Sequence, residues 1–244
     1  MAVTSEVDSL CVVLVGTRNP LNIGAAARAM SNFGLRRLRV VNPYEVAFRE
    51  ARSAVDAAKL LASAEEYKSV GEAVADCTLV VGTTAVRNRQ LQHPIRRLEC
   101  GARLIRKHLG AGRVALVFGS EKRGLTNADF SHCHWLMRIP TAKEYPSMNL
   151  GQAVAICLYE LVRDTKAVEP PEELRPATSA QVERITAMLF EALCASGYVK
   201  PGAAVSTNEK LRRQVRRLHL QADDAELWLG RLRTIAGKLR LGRL

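Results

Sequence analysis

Acidic residues are in short supply in this chain. It has 24 Asp and Glu against 36 Lys and Arg, a net charge of +12. Such a surface is poorly suited to basic partners and suits a polyanion, nucleic acid ahead of an anionic membrane. No apolar run approaches the roughly 20 residues that cross a bilayer. Met1 to Asp8 carries two acids and no base, unlike a signal peptide, so a cytoplasmic protein is expected. The six cysteines (Cys11, Cys77, Cys100, Cys133, Cys157, Cys194) form no C-x-x-C pair, so free thiols are expected and no disulfide framework. His132-Cys133-His134 is the one metal-like cluster. Neighbours on a strand point to opposite faces, so these three cannot easily share an ion, and no metal is expected.

Two nucleotide-binding signatures are also missing. No G-x-G-x-x-G follows the first apolar run. Gly119 to Thr126 has the spacing of a phosphate-binding loop, but Leu125 stands where its lysine belongs. Glu121 adds a carboxylate where phosphate charge would sit. An NTPase is therefore disfavoured, and a cationic or amine-bearing ligand suits the loop better.

The 244 residues are enough for one sizeable core, or one core with a small second domain. Apolar runs at Leu10–Val15, Leu38–Val41, Leu79–Val81, Val114–Phe118 and Trp135–Ile139 read as strands. Helical stretches fall between them: 23–33 opened by Asn22, 51–64, 98–109, and one after Asn149, which can cap it. Strands alternating with helices predict an α/β fold with a parallel sheet. Lys166 to Ser179 is polar with three prolines and reads as a linker. Helices are expected over 181–196, 207–218 and 223–240, the last with a Trp228, Leu232, Ile235, Leu239 stripe. The expected organisation is therefore residues 1–165, a linker 166–179, and a helical extension 180–244.

Basic residues cluster twice. Arg87 to Arg113 holds eight against one acid, and Lys200 onward holds eleven against four. Arg87, Arg89, Lys210, Arg212, Arg213, Arg216 and Arg217 are the candidate RNA contacts.

Three segments carry a specific pattern together: Asn22-Ile23-Gly24 through Arg28; Phe118-Gly119-Ser120-Glu121 through Gly124-Leu125; and Ile139-Pro140 through Ser147-Met148-Asn149. In order and spacing they resemble the three motifs of the SpoU/TrmH branch of the SPOUT RNA methyltransferases, over roughly residues 10 to 164. Pro20-Leu21-Asn22-Ile23-Gly24, Val81 to Ala85 and Glu144-Tyr145 are most similar to the TrmJ type. Met148 and Pro146 depart from its usual leucine and serine. The resemblance implies a C-terminal trefoil knot, a homodimer, S-adenosyl-methionine as cofactor, and methylation of a ribose 2′-OH at nucleotide 32 of tRNA. The same chemistry on ribosomal RNA, or a non-catalytic RNA-binding protein of the same fold, are the alternatives. It also implies Arg28, Asn22, Glu121, Ser147 and Asn149 as catalytic residues. Thr83, Thr84, Ala85, Gly119, Ile139, Pro146, Ser147 and Met148 would line the cofactor pocket.

Overall fold

The computed structural model describes residues 8–44, 58–85, 92–163 and 175–240. Arg87, Arg89, most of the expected linker and the first half of the expected 51–64 helix lie outside them. Seven parallel strands form one sheet in the order β3-β2-β1-β6-β4-β7-β5. The strands are β1 (Leu10–Val15), β2 (Arg37–Val41), β3 (Glu65–Tyr67), β4 (Leu79–Thr83), β5 (Ile95–Arg97), β6 (Val114–Phe118) and β7 (Trp135–Arg138). Helices α1 (Pro20–Asn32), α2 (Ala58–Ala62), α3 (Val70–Ala73), α4 (Leu98–Leu109), α5 (Asn127–Ser131) and α6 (Leu150–Val162) surround it.

The sequence of β1 explains why both sheet faces must be covered. All six residues, Leu-Cys-Val-Val-Leu-Val, are buried. Successive side chains of a strand point to opposite faces, so a continuous apolar run needs a layer on each side. Leu10, Val12 and Leu14 pack in one core with α1, α4 and α6. Cys11, Val13 and Val15 pack in the other, with α3 and Phe130 of α5. The α1–α6 contact is close because both helices carry small residues there. A Cβ on Gly151 would come within 2.6 Å of the Ala25 Cβ.

Two starting points differ from the sequence reading. Asn19, not Asn22, caps α1: its side chain accepts the Leu21 N–H, with Pro20 at the first helical position. Asn22 thus lies inside the first turn with its amide available for other partners. β5 has no counterpart among the expected strands; it is a three-residue exposed edge strand beside β7.

Beyond the sheet, α7 (Ser179–Ala195), α8 (Ala204–Arg217) and α9 (Ala222–Arg240) build their own core from Val182, Ile185, Val215, Ala225, Leu229 and Leu232. The stripe of α9 keeps Leu232 and Trp228 of the expected one, but its most buried positions differ. Ala225 and Leu229 are fully buried, whereas Ile235 is 44% exposed. The helical unit is anchored to the sheet domain. Ser179 and Ala180 donate their N–H groups to the Cys77 and Ala75 carbonyls at 2.7 and 2.8 Å. The end of the expected linker is therefore a docked helix start, with Thr178 and Gln181 forming its capping box.

Candidate active site

Three neighbouring strands, β6, β4 and β7, end on the same side of the sheet, where ligands bind in open α/β folds. The loops that leave them enclose a cavity of about 200 Å³. Thr83, Thr84 and Ala85 come from β4, Gly119 to Leu125 from β6, and Ile139, Thr141, Pro146, Ser147 and Met148 from β7. All eight residues expected to hold a cofactor line this cavity. Phe118, Leu125, Met137, Leu150 and Ala153 line it as well. The sequence reading did not assign these to the pocket; their positions near strand ends and at the start of α6 were the available signal.

Local chemistry holds each wall. Thr83 Oγ1 donates to the Val117 carbonyl at 2.9 Å, and the Thr84 N–H donates to the Met137 carbonyl at 3.0 Å. The Gly119–Gly124 loop folds back on itself. The Gly124 N–H bonds to the Ser120 carbonyl at 2.8 Å, and Gly124 has a φ of 67°. A Cβ on Gly119 would lie 2.1 Å from the Gly124 carbonyl carbon, so the turn admits no larger residue there.

A side-chain relay joins the three motifs. Asn149 Nδ2 donates to Asn22 Oδ1 at 2.7 Å, and Asn22 Nδ2 donates to Glu121 Oε1 at 3.0 Å. Glu121 also accepts from the Arg18 and Asn19 backbone N–H groups at 3.5 and 3.4 Å. Its carboxylate therefore ties the first-motif loop to the second. Asn149 spends its Oδ1 on the Gln152 N–H, capping α6 at 3.3 Å. Glu121 and Ser147 reach the cavity, while Asn22 and Asn149 stand behind its wall. Arg28 is exposed on α1 and does not line the cavity of its own chain.

The basic helix corrects the sequence reading. Arg216 is 1% exposed at its side chain, pairs with Glu183 at 3.3 Å and donates to the His132 carbonyl at 3.1 Å. Arg212 pairs with the same Glu183 at 2.9 Å and donates to Ser131 Oγ at 3.2 Å. These two arginines dock α8 onto α7 and α5 and are not presented to a phosphate. Arg213 is also buried and faces Glu209 at 3.9 Å. Lys210 and Arg217 are exposed, Arg217 bonding the Gln92 carbonyl. The other basic cluster is likewise partly committed: Arg97 pairs with Glu99, Arg113 with Asp76, and Arg96 stacks on Trp135.

Buried titratable groups behave as structure. Asp76 is held well below the usual carboxylate range by hydrogen bonding to Arg39. His132 is pushed down to about 4 by burial and by Arg216 and Arg212. His134 accepts the Val80 N–H at 3.0 Å through Nδ1. Among the described residues no His, Cys, Asp and Glu group is placed to hold a metal ion, and no helix is long and apolar enough to cross a membrane.

Known proteins resemble this chain over most of its length. Residues 9–159 match the SpoU rRNA Methylase family. The chain is 35% identical over 235 residues to a tRNA (cytidine/uridine-2′-O-)-methyltransferase TrmJ from Pectobacterium atrosepticum, covering 93% of this chain and 97% of that one. It is 36% identical to the protein of that name from Yersinia pestis, covering 92% and 90%. Among solved structures, TrmJ from Z. mobilis ZM4 superposes with a TM-score of 0.78 at 32% identity, covering 92% of this chain and 98% of that one.

Proposed function

Since the chain belongs to the SpoU rRNA Methylase family, we propose that it methylates a ribose 2′-OH of tRNA, at nucleotide 32 of the anticodon loop, using S-adenosyl-methionine. The observation that carries this reading is one cavity lined by the second and third motif loops, to which the Asn149–Asn22–Glu121 relay ties the first motif. Similarity to tRNA methyltransferases along nearly the whole chain supports tRNA over ribosomal RNA.

The cavity suits the cofactor. Leu125, Ile139, Met148 and Leu150 offer an apolar bed for a purine ring, while Thr83, Thr84 and Ser147 offer hydroxyls. S-adenosyl-methionine supplies an electrophilic methyl group on a sulfonium whose departure leaves a neutral thioether, so no metal is required. The chain's task is to align the 2′-oxygen and ease loss of its proton. In-line positioning can lower the barrier by roughly 7–11 kcal/mol. A guanidinium is too strongly basic to give up its proton readily, so Arg28 is not a simple general base. Its role is to hold the adjoining phosphate and hydroxyl and stabilise the developing alkoxide. Ser147 and Asn149 orient the nucleotide or cofactor, and Asn22 and Glu121 fix the loops that carry them.

A homodimer follows from the same reading. Arg28 does not line its own chain's cavity, so it serves the cavity of a second copy. Leu21, Ile156 and Tyr159 on α1 and α6 leave 80%, 38% and 54% of their surface exposed, an apolar face for that copy to cover. We further propose that the sheet domain carries the trefoil knot, through the 139–149 segment, and that the 180–244 extension contributes to RNA binding. Mapping of 2′-O-methyl groups by mass spectrometry in tRNA and ribosomal RNA from a strain lacking the gene tests the substrate. Loss at tRNA nucleotide 32 is expected; loss confined to ribosomal RNA contradicts it. Light scattering should give a dimer at micromolar concentration, and a fully active monomer rules it out.

A further inference from the structure

A second cavity, of about 190 Å³, lies where α8 meets the sheet domain. The described residues lining it include His93, Phe130, Ser206, Glu209, Lys210 and Arg213. Among the described residues, two of its polar groups lack close partners. Arg213 is 8% exposed, yet its ion pair with Glu209 is a loose 3.9 Å. His93 is equally buried and its Nε2 has no hydrogen-bond partner. His93 bonds to the Phe130 backbone, and burial and the nearby arginines push its pKa down to about 4. In the neutral ring, donation to the Phe130 backbone places the proton on Nδ1 and leaves the unpartnered Nε2 an acceptor.

The wall therefore combines a buried guanidinium fork with two acceptors, a carboxylate and an imidazole lone pair. Exposed Lys210 aside, that combination is wrong for a phosphate, which both acceptors would repel. It suits a neutral planar group with donor and acceptor atoms side by side. Arginine recognises base carbonyl and ring-nitrogen acceptors, and a carboxylate accepts from base N–H groups. RNA-binding proteins commonly take unstacked bases into such pockets. Phe130 lines this cavity and also the motif cavity, so the two sites are one side chain apart.

We propose that this cavity receives an unpaired nucleobase of the RNA substrate, one carrying an N–H donor beside a carbonyl, held by Arg213, Glu209 and His93. The proposal rests on the methyltransferase reading above.

The test is the affinity of an unmodified tRNA transcript for the wild-type protein, Glu209→Gln and Ser206→Trp, measured across a salt series, with S-adenosyl-methionine affinity and methyl transfer measured in parallel. Ser206 is exposed at the cavity rim, so tryptophan there fills the space without disturbing a core. Both variants should bind tRNA about tenfold more weakly, as expected for loss of a base contact, with an unchanged salt slope and unchanged cofactor affinity. The sign for Glu209→Gln is decisive. Removing a negative charge should tighten any purely electrostatic contact with RNA, so equal or tighter binding overturns the proposal. A salt slope shallower by about one makes the site a phosphate contact and overturns it too. If Glu209→Gln unfolds, Ser206→Trp decides alone. Wild-type methyl transfer with unaltered affinity in the variants removes the base pocket only. A wild-type protein that binds no tRNA removes both this inference and the proposed function.

Discussion

Glu183→Ala gives the sharpest test of how the helical unit is attached. Glu183 receives both Arg212 and Arg216, at 2.9 and 3.3 Å, and the Arg216 side chain is 1% exposed. Removing one partner of a fully buried pair costs about 3–5 kcal/mol, because the other charge is left in a poor solvent. The Glu183 side chain is 36% exposed, so water relieves part of this. A loss of roughly 2–3 kcal/mol is the discounted expectation. For a protein of this size that lowers the melting temperature by roughly 4–12 °C. Far-ultraviolet circular dichroism during heating reads it, since α7, α8 and α9 hold much of the helix. Adding Arg216→Met to Glu183→Ala should recover much of the loss by removing the stranded charge. In RNA binding, Arg216→Met should leave the salt slope unchanged, whereas a lost phosphate contact reduces it by roughly 0.7–0.9. A Glu183→Ala protein as stable as wild type, or an Arg216→Met protein with a shallower slope, would refute the inward assignment.

Arg28→Ala should abolish methyl transfer, by roughly 3–4 kcal/mol in kcat, with cofactor affinity retained; Arg28→Lys should also fail, because an ammonium cannot copy the planar fork. Calorimetry beside single-turnover kinetics checks this, and near wild-type rates sink the assignment. Gly119→Ala should cost cofactor binding, since its Cβ would meet the Gly124 carbonyl carbon at 2.1 Å; titration calorimetry showing wild-type affinity would contradict the tight-turn argument. Stability should fall as pH drops from about 6.5 towards 4. His93 and His132 are pushed down to about 4 in the folded state, so the unfolded chain binds more protons across that window. Urea midpoints between pH 5 and 6.5 isolate the histidines from the carboxylates; a midpoint that rises on acidification contradicts the sign.

A ligand cleft was legible because apolar runs broken by glycine-bearing loops mark strand ends directly, while the residues proposed to line the cofactor's cavity came from the family resemblance. The roles within it were less so. Glu121 reads in sequence as a carboxylate awaiting a cation, but three donors from residues 18–22 occupy it, and only the fold brings those segments together. Arg216 was misread for the same reason. A basic helix looks alike whether it faces solvent or a carboxylate, and its partner is 33 positions away. β5 escaped notice because an exposed edge strand of three residues has no apolar alternation. In α9 the buried stripe includes Ala225 and Ala236, small residues overshadowed by Trp228 and Ile235.

The central claim is methyl transfer to one ribose hydroxyl of tRNA. It is tested most directly with two tRNA transcripts that differ in one atom, ribose or 2′-deoxyribose at nucleotide 32, and methyl-labelled S-adenosyl-methionine. The account predicts label in the ribose tRNA and none in the deoxyribose tRNA. Equal labelling of the two, or none in either, would contradict it.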